Sequence, residues 1–288
     1  MSATSAPRES VDVGDIRVTY LPDGEAAVAA TALFPTSTPE LWDLHRDLFD
    51  ADGKLLLTLG AFLIRTGDRT VLVDLGFGPD SMSFPAADGE FRSGRLLTSL
   101  REEGLEPSDV DTVFYTHMHV DHVGWTGTNG ALTFPNARHL AGEGEVEFWR
   151  TPDNPLAAVG PHPEAVLGPL DGRIESIADG ATLAPGVSVV ATPGHTPGHC
   201  SLVVSSGSAR AMILGDVLHC PAQLTDNDVS LAFDLDPVLA AKTRDRIAAE
   251  LEGRPETLAA QGHLTGSVFG RIMRGESRRT WSTAVATS

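Results

Sequence analysis

Residues 116–124, THMHVDHVG, decide how this chain reads. Four of the six residues at 117–122 are His or Asp, whose imidazole nitrogens and carboxylate oxygens zinc accepts at about 2.0–2.2 Å. The stretch leaves an apolar run, Thr112–Tyr115, that reads as a buried strand. Side chains alternate along extended backbone, so His117 and His119 point to one side and can share an ion. Asp121 and His122 come where the chain turns and can face a second ion beside the first. A helix-capping aspartate among surface histidines would account for any one of these residues, but poorly for four together.

The same pattern, an apolar strand followed by a short loop and a ligand-type residue, recurs downstream. Val187–Ala191 runs into TPGHTPGH, where flanking proline and glycine fix a loop around His195. The strand at 211–214 ends in Gly215-Asp216, and 257–260 delivers Gly262-His263. Strand ends in α/β folds are where short loops set chemistry on a rigid frame. An unpaired carboxylate at a buried strand end costs several kcal/mol, and a pair of ions that Asp216 bridges removes that cost. His199, the second histidine of TPGHTPGH, is expected to brace the His195 loop rather than to bind an ion.

Around these junctions, 60–65 and 70–75 read as a β-hairpin turning at Gly67-Asp68. Ser93 is expected to cap a helix carrying Leu96, Leu97 and Leu100 and closed by Gly104. Asp236-Pro237 starts a second helix, with the aspartate as cap and the proline in the first turn. Residues 1–15 read as a flexible arm. Residues 16–288 show no repeat or linker and are taken as a single α/β domain.

The formal charge is −18, from 21 basic and 39 acidic residues spread along the chain. Such a surface repels phosphate backbones and anionic lipid, so neither nucleic acid nor a membrane is an expected partner. A small, neutral substrate fits better, and a homodimer is left open. No apolar run is long enough to span a bilayer, and the polar start MSATSAPRES lacks the apolar core of a secretion signal. With Cys200 and Cys220 as the only cysteines, the expectation is a cytoplasmic protein with two free thiols.

The pattern HxHxDH, then H, D and H, resembles the metallo-β-lactamase-fold superfamily, and it covers most of the chain from LVDLG at 72–76 to His263. The resemblance implies a four-layer αβ/βα sandwich with two divalent metal ions at one edge. It assigns His117, His119 and His195 to one ion, Asp121, His122 and His263 to the other, and Asp216 to both. Zinc is the first expectation; the same donors admit iron, manganese or cobalt. Within the superfamily, FPNARHLAGEGEVEFW (134–149), TPGHTPGHCSLVV and LGDVLHCPAQ look most like the methyl parathion hydrolase and quorum-quenching lactonase branches.

This implies hydrolysis of an ester-type bond (lactone, carboxyl ester or phosphotriester) by a hydroxide held between the ions, with Asp121 passing a proton to the leaving group. Trp149 aligns with an aromatic that lines the phosphotriesterase pocket. Trp125 and Met118 are further substrate-contact candidates, although core packing is the default for all three. Lactonases of the superfamily place a tyrosine three residues after the bridging aspartate. Here that position is His219, a departure that counts against lactonase activity of that type. His219 is expected to touch substrate as a catalytic donor and not to be an eighth ligand. Two other readings use the same ligands: a thioesterase acting on acyl carriers, and an iron-binding redox or sensory protein.

Overall fold

A computed structural model describes residues 2–283. The first sheet is built from β1 (Glu9–Val13), β2 (Ile16–Val28), β3 (Leu55–Thr66), β4 (Arg69–Val73), β5 (Met82–Phe84), β6 (Gly89–Arg92) and β7 (Thr112–Tyr115). A short hairpin, β8 (Gly127–Thr128) and β9 (Ala131–Leu132), stands apart, and β10 (Arg138–Gly142) and β11 (Ile174–Ile177) complete the first sheet. The second sheet holds β12 (Thr182–Ala184), β13 (Val187–Ala191), β14 (Cys200–Ser206), β15 (Ala209–Ile213), β16 (Leu258–Ala260), β17 (Phe269–Arg274) and β18 (Arg279–Thr283), in that spatial order. In the first the order is β11-β10-β7-β4-β3-β2-β6-β5, with β1 added beside β2.

The two sheets face each other, and the period of two in their strands explains the layering. Phe62 and Ile64 of β3 meet Leu202 and Val204 of β14 in the core between the sheets. Their neighbours Ala61 and Leu63 face outward, onto the helix Leu96–Glu102 and the helix Glu145–Trp149. On the far side Val203 and Met212 pack under Ile247, Ala248 and Leu251 of the helix Pro237–Glu252. Strands covered on both faces read as unbroken apolar runs, as LLLTLGAFLI does. Helix, sheet, sheet and helix make the four layers that the sequence resemblance implies.

The parallel pairs β4–β7 and β15–β16 bring the C-terminal ends of their strands to one edge. β13 runs parallel to β15 through two antiparallel pairings with β14, so its C-terminus reaches the same edge. The residues after β4, β7, β13, β15 and β16 therefore converge.

Two local expectations are corrected. The N-terminal residues do not form a free arm to residue 15: β1 pairs with β2 from Glu9↔Tyr20 to Val13↔Ile16, and Ala6, Val11 and Val13 are buried. The apolar alternation Val11/Val13 continues a sheet face, which holds the segment down. Nor does Ser93 cap the helix Leu96–Glu102, since its hydroxyl donates to the carbonyls of Gly78 and Asp80. The cap comes from Asp23 of β2, whose buried Oδ1 accepts from the amides of Gly94, Arg95 and Leu96 at 3.3, 3.0 and 2.9 Å. Asp23 also takes the amides of Phe77 and Gly78 and the indole N–H of Trp125. A cap 71 to 73 residues away in sequence leaves no local signal.

Candidate metal centre

At the shared edge, His117, His119, His195 and Asp216 bring ligand atoms within 4.8 Å of one another, as do Asp121, His122 and His263. All are buried except Asp121, which is partly exposed. His117 Nε2 stands 3.0 Å from His119 Nδ1, which stands 2.8 Å from His195 Nε2. Three imidazole nitrogens facing inward is the donor arrangement of a tetrahedral site, whose ligands are about 3.3 Å apart when metal–nitrogen bonds are about 2.0–2.1 Å. Asp216 lies between the groups. Its Oδ2 is 3.6 Å from His117 Nε2, 3.4 Å from His195 Nε2 and 3.3 Å from His122 Nε2, and its Oδ1 is 3.2 Å from His263 Nε2. Asp121 Oδ2 is 3.8 Å from His122 Nε2 and 3.7 Å from His263 Nε2.

Each of four histidines spends its outer nitrogen on a fixed acceptor, which turns the other inward. His117 Nδ1 donates to Thr116 Oγ1 at 3.1 Å, His122 Nδ1 to Asp74 Oδ2 at 2.9 Å, His195 Nδ1 to Asp234 Oδ1 at 2.8 Å and His263 Nδ1 to the Thr58 carbonyl at 3.0 Å. His119 instead turns Nδ1 to the group. Within this cluster, His119 Nε2, His122 Nε2, Asp216 Oδ1 and His219 Nδ1 are buried without a hydrogen-bond partner among the described residues. A buried carboxylate oxygen left unmatched is costly, and a divalent cation in each group is the ligand this donor set fits.

The charges of the cluster pull in opposite directions. Burial, followed by His122, holds His117 well below the ordinary histidine range, and burial followed by His195 does the same to His119. Burial would also lower His122 and His263, but carboxylates led by Asp216 raise both. Burial alone would raise Asp216, yet the surrounding histidines, His122 first, hold it well below the carboxylate range. The ionised Asp216 and the neutral His117 and His119 are already in the form a divalent cation binds, whereas His122 and His263 would give up a proton to it.

His199 carries no inward nitrogen. Its Nδ1 donates to Thr192, with Oγ1 at 2.8 Å and the carbonyl at 3.0 Å, and its Nε2 accepts the Asp216 amide at 2.9 Å. Burial pushes its pKa down to about 3, so the ring is neutral. It braces Asp216 as well as its own loop. Gly215, at φ 55°, lets the chain turn there, where a Cβ would come within 2.7 Å of His199 Nε2.

His219 also faces the centre. Its Nε2 is 3.0 Å from Asp216 Oδ2, its ring stacks on His263 at 5.5 Å, and with Asp216 and His263 it forms a third group of ligand-type atoms. Its amide is held by Gln223 Oε1 at 2.7 Å.

One cavity opens on Asp121, Asp216, His219 and His263, and its other walls are largely apolar: Val28, Leu57 and Leu59 from the long strands, Met82, Phe84 and Phe91 from β5 and β6, and Leu231 and Phe233 from the loop before the last helix. Trp149, Trp125 and Met118, the sequence candidates for substrate contact, do not line it. Met118 lies between two inward histidines, so alternation turns it into the outer core. Trp125 is held by Asp23, and Trp149 donates to Glu145 Oε1 at 2.7 Å while its ring meets the edge of His119.

Sequence reasoning missed Asp74, Asp234 and Glu145. Asp74 carried a signal, since it ends an apolar strand as Asp216 does. It sits at φ 61°, a conformation costly for a residue other than glycine, and it accepts from the Thr116 amide and hydroxyl as well as from His122.

The family model for the metallo-beta-lactamase superfamily matches residues 61–263. An N-acyl homoserine lactonase from a Bacillus species is 25% identical over 240 residues, which cover 78% of this chain and 85% of that protein. N-acyl homoserine lactonase AiiA of Bacillus thuringiensis subsp. kurstaki is 27% identical over 209 residues, 68% of this chain and 77% of its own. The solved structure of AidC, a dizinc quorum-quenching lactonase in complex with a product, matches with a TM-score of 0.86 at 22% identity, over 98% of this chain and 99% of that one. Among the described residues no helix is long and apolar enough to cross a membrane.

Proposed function

The chain belongs to the metallo-β-lactamase superfamily as a metal-dependent hydrolase, and on that premise we propose that it opens the ring of N-acyl homoserine lactones. The observation that carries this reading is the cavity: a mostly apolar pouch with its polar groups gathered at one end, at the metal centre. That division suits a neutral lactone with an apolar acyl chain and suits a polyanion poorly. The lactonase relatives support the same choice.

His117, His119 and His195 would hold one divalent ion, Asp121, His122 and His263 the other, with Asp216 between them; zinc is proposed because imidazole and carboxylate are its ordinary donors. When bound, the ions supply an activated water and a Lewis acid for the carbonyl oxygen. The chain's own residues do the rest. Val28, Leu57, Leu59, Phe84 and Phe233 seat the acyl chain and keep water away from it. His219 lines the cavity in the position the resemblance gives to a tyrosine, and its Nε2–H would serve the lactone carbonyl oxygen by turning to it from Asp216. Asp121 is partly exposed at the cavity wall and is the carboxylate free to take a proton and return it to the leaving alkoxide.

The test is a hydrolysis screen of metal-loaded protein on N-acyl homoserine lactones, aryl esters, acyl thioesters and phosphotriesters. The highest kcat/KM is expected on the lactones. Preference for a thioester or phosphotriester would overturn the substrate assignment, and iron rather than zinc on elemental analysis would overturn the metal.

A further inference from the structure

The motif EGEVEFW ends in a short helix, Glu145–Trp149, that takes no part in the chemistry above. Its first residue is a wholly buried glutamate. Both carboxylate oxygens are in use. Oε1 accepts the amide of Met118 at 2.9 Å and the indole N–H of Trp149 at 2.7 Å. Oε2 accepts the Thr196 hydroxyl at 2.7 Å and the Gly198 amide at 3.1 Å. Met118 is the residue between His117 and His119, and Thr196 follows His195. One side chain therefore ties the loop after β7, in the first sheet, to the loop after β13, in the second.

We infer that Glu145 is the positioning residue for the three-histidine half of the metal centre: it sets the spacing of His117 and His119 against His195. The inference rests on the reading that these three hold an ion. Among the described residues, the backbone hydrogen bond that joins the two loops near this point is that from the Cys200 amide to the Thr116 carbonyl, and a carboxylate receiving four donors is a rigid four-way joint. Trp149 adds to it: while its indole is held by Glu145, its ring rests on the edge of His119 at 5.3 Å. The other half of the centre is fixed by different groups, Asp74 on His122 and the Thr58 carbonyl on His263. Loss of Glu145 should therefore act on one ion only.

Glu145→Gln keeps the shape but brings an N–H pair into a ring of donors, so at least one loop must release. Zinc-loaded wild type and variant would be dialysed against a series of zinc buffers and the metal counted at each free concentration. Outer partners of metal ligands typically contribute 10–100-fold in affinity. The expected result is that one of the two equivalents leaves the variant at free zinc at least about 10-fold higher than in wild type, while the other stays. Cobalt refilled into the emptied position should show a changed visible spectrum, which a merely structural role would not produce. Thr196→Val removes a single donor and should shift the same equivalent by a smaller factor, and it decides the matter if Glu145→Gln fails to fold. Wild-type retention of both equivalents in a folded variant, or parallel loss of both, overturns the inference. Wild type that binds no ion at all would instead overturn the reading beneath it.

Discussion

His199→Leu is the perturbation that separates a brace from a ligand. Leucine fills most of the space but takes away the acceptor for the Asp216 amide and the donor to Thr192. Thr192 Oγ1 keeps Ser201 Oγ at 3.0 Å, so the groups left unmatched are the Asp216 N–H and the Thr192 carbonyl. A buried donor without a partner costs about 1–3 kcal/mol, and with the lost contact to Thr192 the variant should be less stable by about 2–4 kcal/mol. For a chain of this size that is a fall in Tm of roughly 3–7 °C. The folded ring titrates at about 3 against an ordinary 6.5. It therefore stays neutral in the folded protein, while the unfolded chain takes up a proton below about pH 6.5. The wild-type contribution is complete above that pH and is lost as the pH falls toward 3. The gap between wild type and variant should be widest near pH 7–8 and about 1.4 kcal/mol narrower at pH 5.5. Urea melts of zinc-loaded protein at several pH values, with a metal count on each sample, would measure this. Two ions per chain with reduced stability is the expected outcome. Loss of one ion from a folded variant, or a gap that widens on acidification, would refute the reasoning.

Asp216→Asn should weaken both ions together, because both groups meet at that carboxylate; retention of one ion at wild-type affinity would place the residue in a single site. His219→Ala should lower kcat on the order of 10²-fold, the usual cost of an oxyanion donor, with two ions still bound; loss of an ion would make His219 a ligand and wild-type turnover would remove it from catalysis. Cys200 and Cys220 are buried and free, and burial pushes both thiols up to about 12. They should resist alkylation in the folded protein, and thiol titration of denatured, unreduced protein should find two.

The seven grouped residues were legible because each follows an apolar strand, and strand ends in this architecture share an edge. Alternation placed His117 and His119 on one side. Applied once more it would have removed Met118 from the substrate candidates. The cavity wall was not legible. Val28, Leu57 and Leu59 sit in long buried strands whose composition reads as core, and whether such a residue meets another side chain or an opening depends on where the sheets part. Phe84 and Phe233 meet each other from segments about 150 residues apart. The supports of the metal ligands divide the same way. Asp74 and Asp216 share a sequence pattern, whereas the Thr58 carbonyl on His263 is a backbone atom that no residue type announces. Trp149 misled because its aromatic character fits a pocket as well as the joint it forms with Glu145.

The central claim is that two ions at this centre and ring opening of a lactone are one property. Chelated protein would be titrated with zinc while hydrolysis of an N-acyl homoserine lactone is followed by acid release at constant pH. Activity should be absent at the start, rise with added zinc and level off at two equivalents per chain. Undiminished hydrolysis after chelation, or a plateau reached at one equivalent, would contradict it.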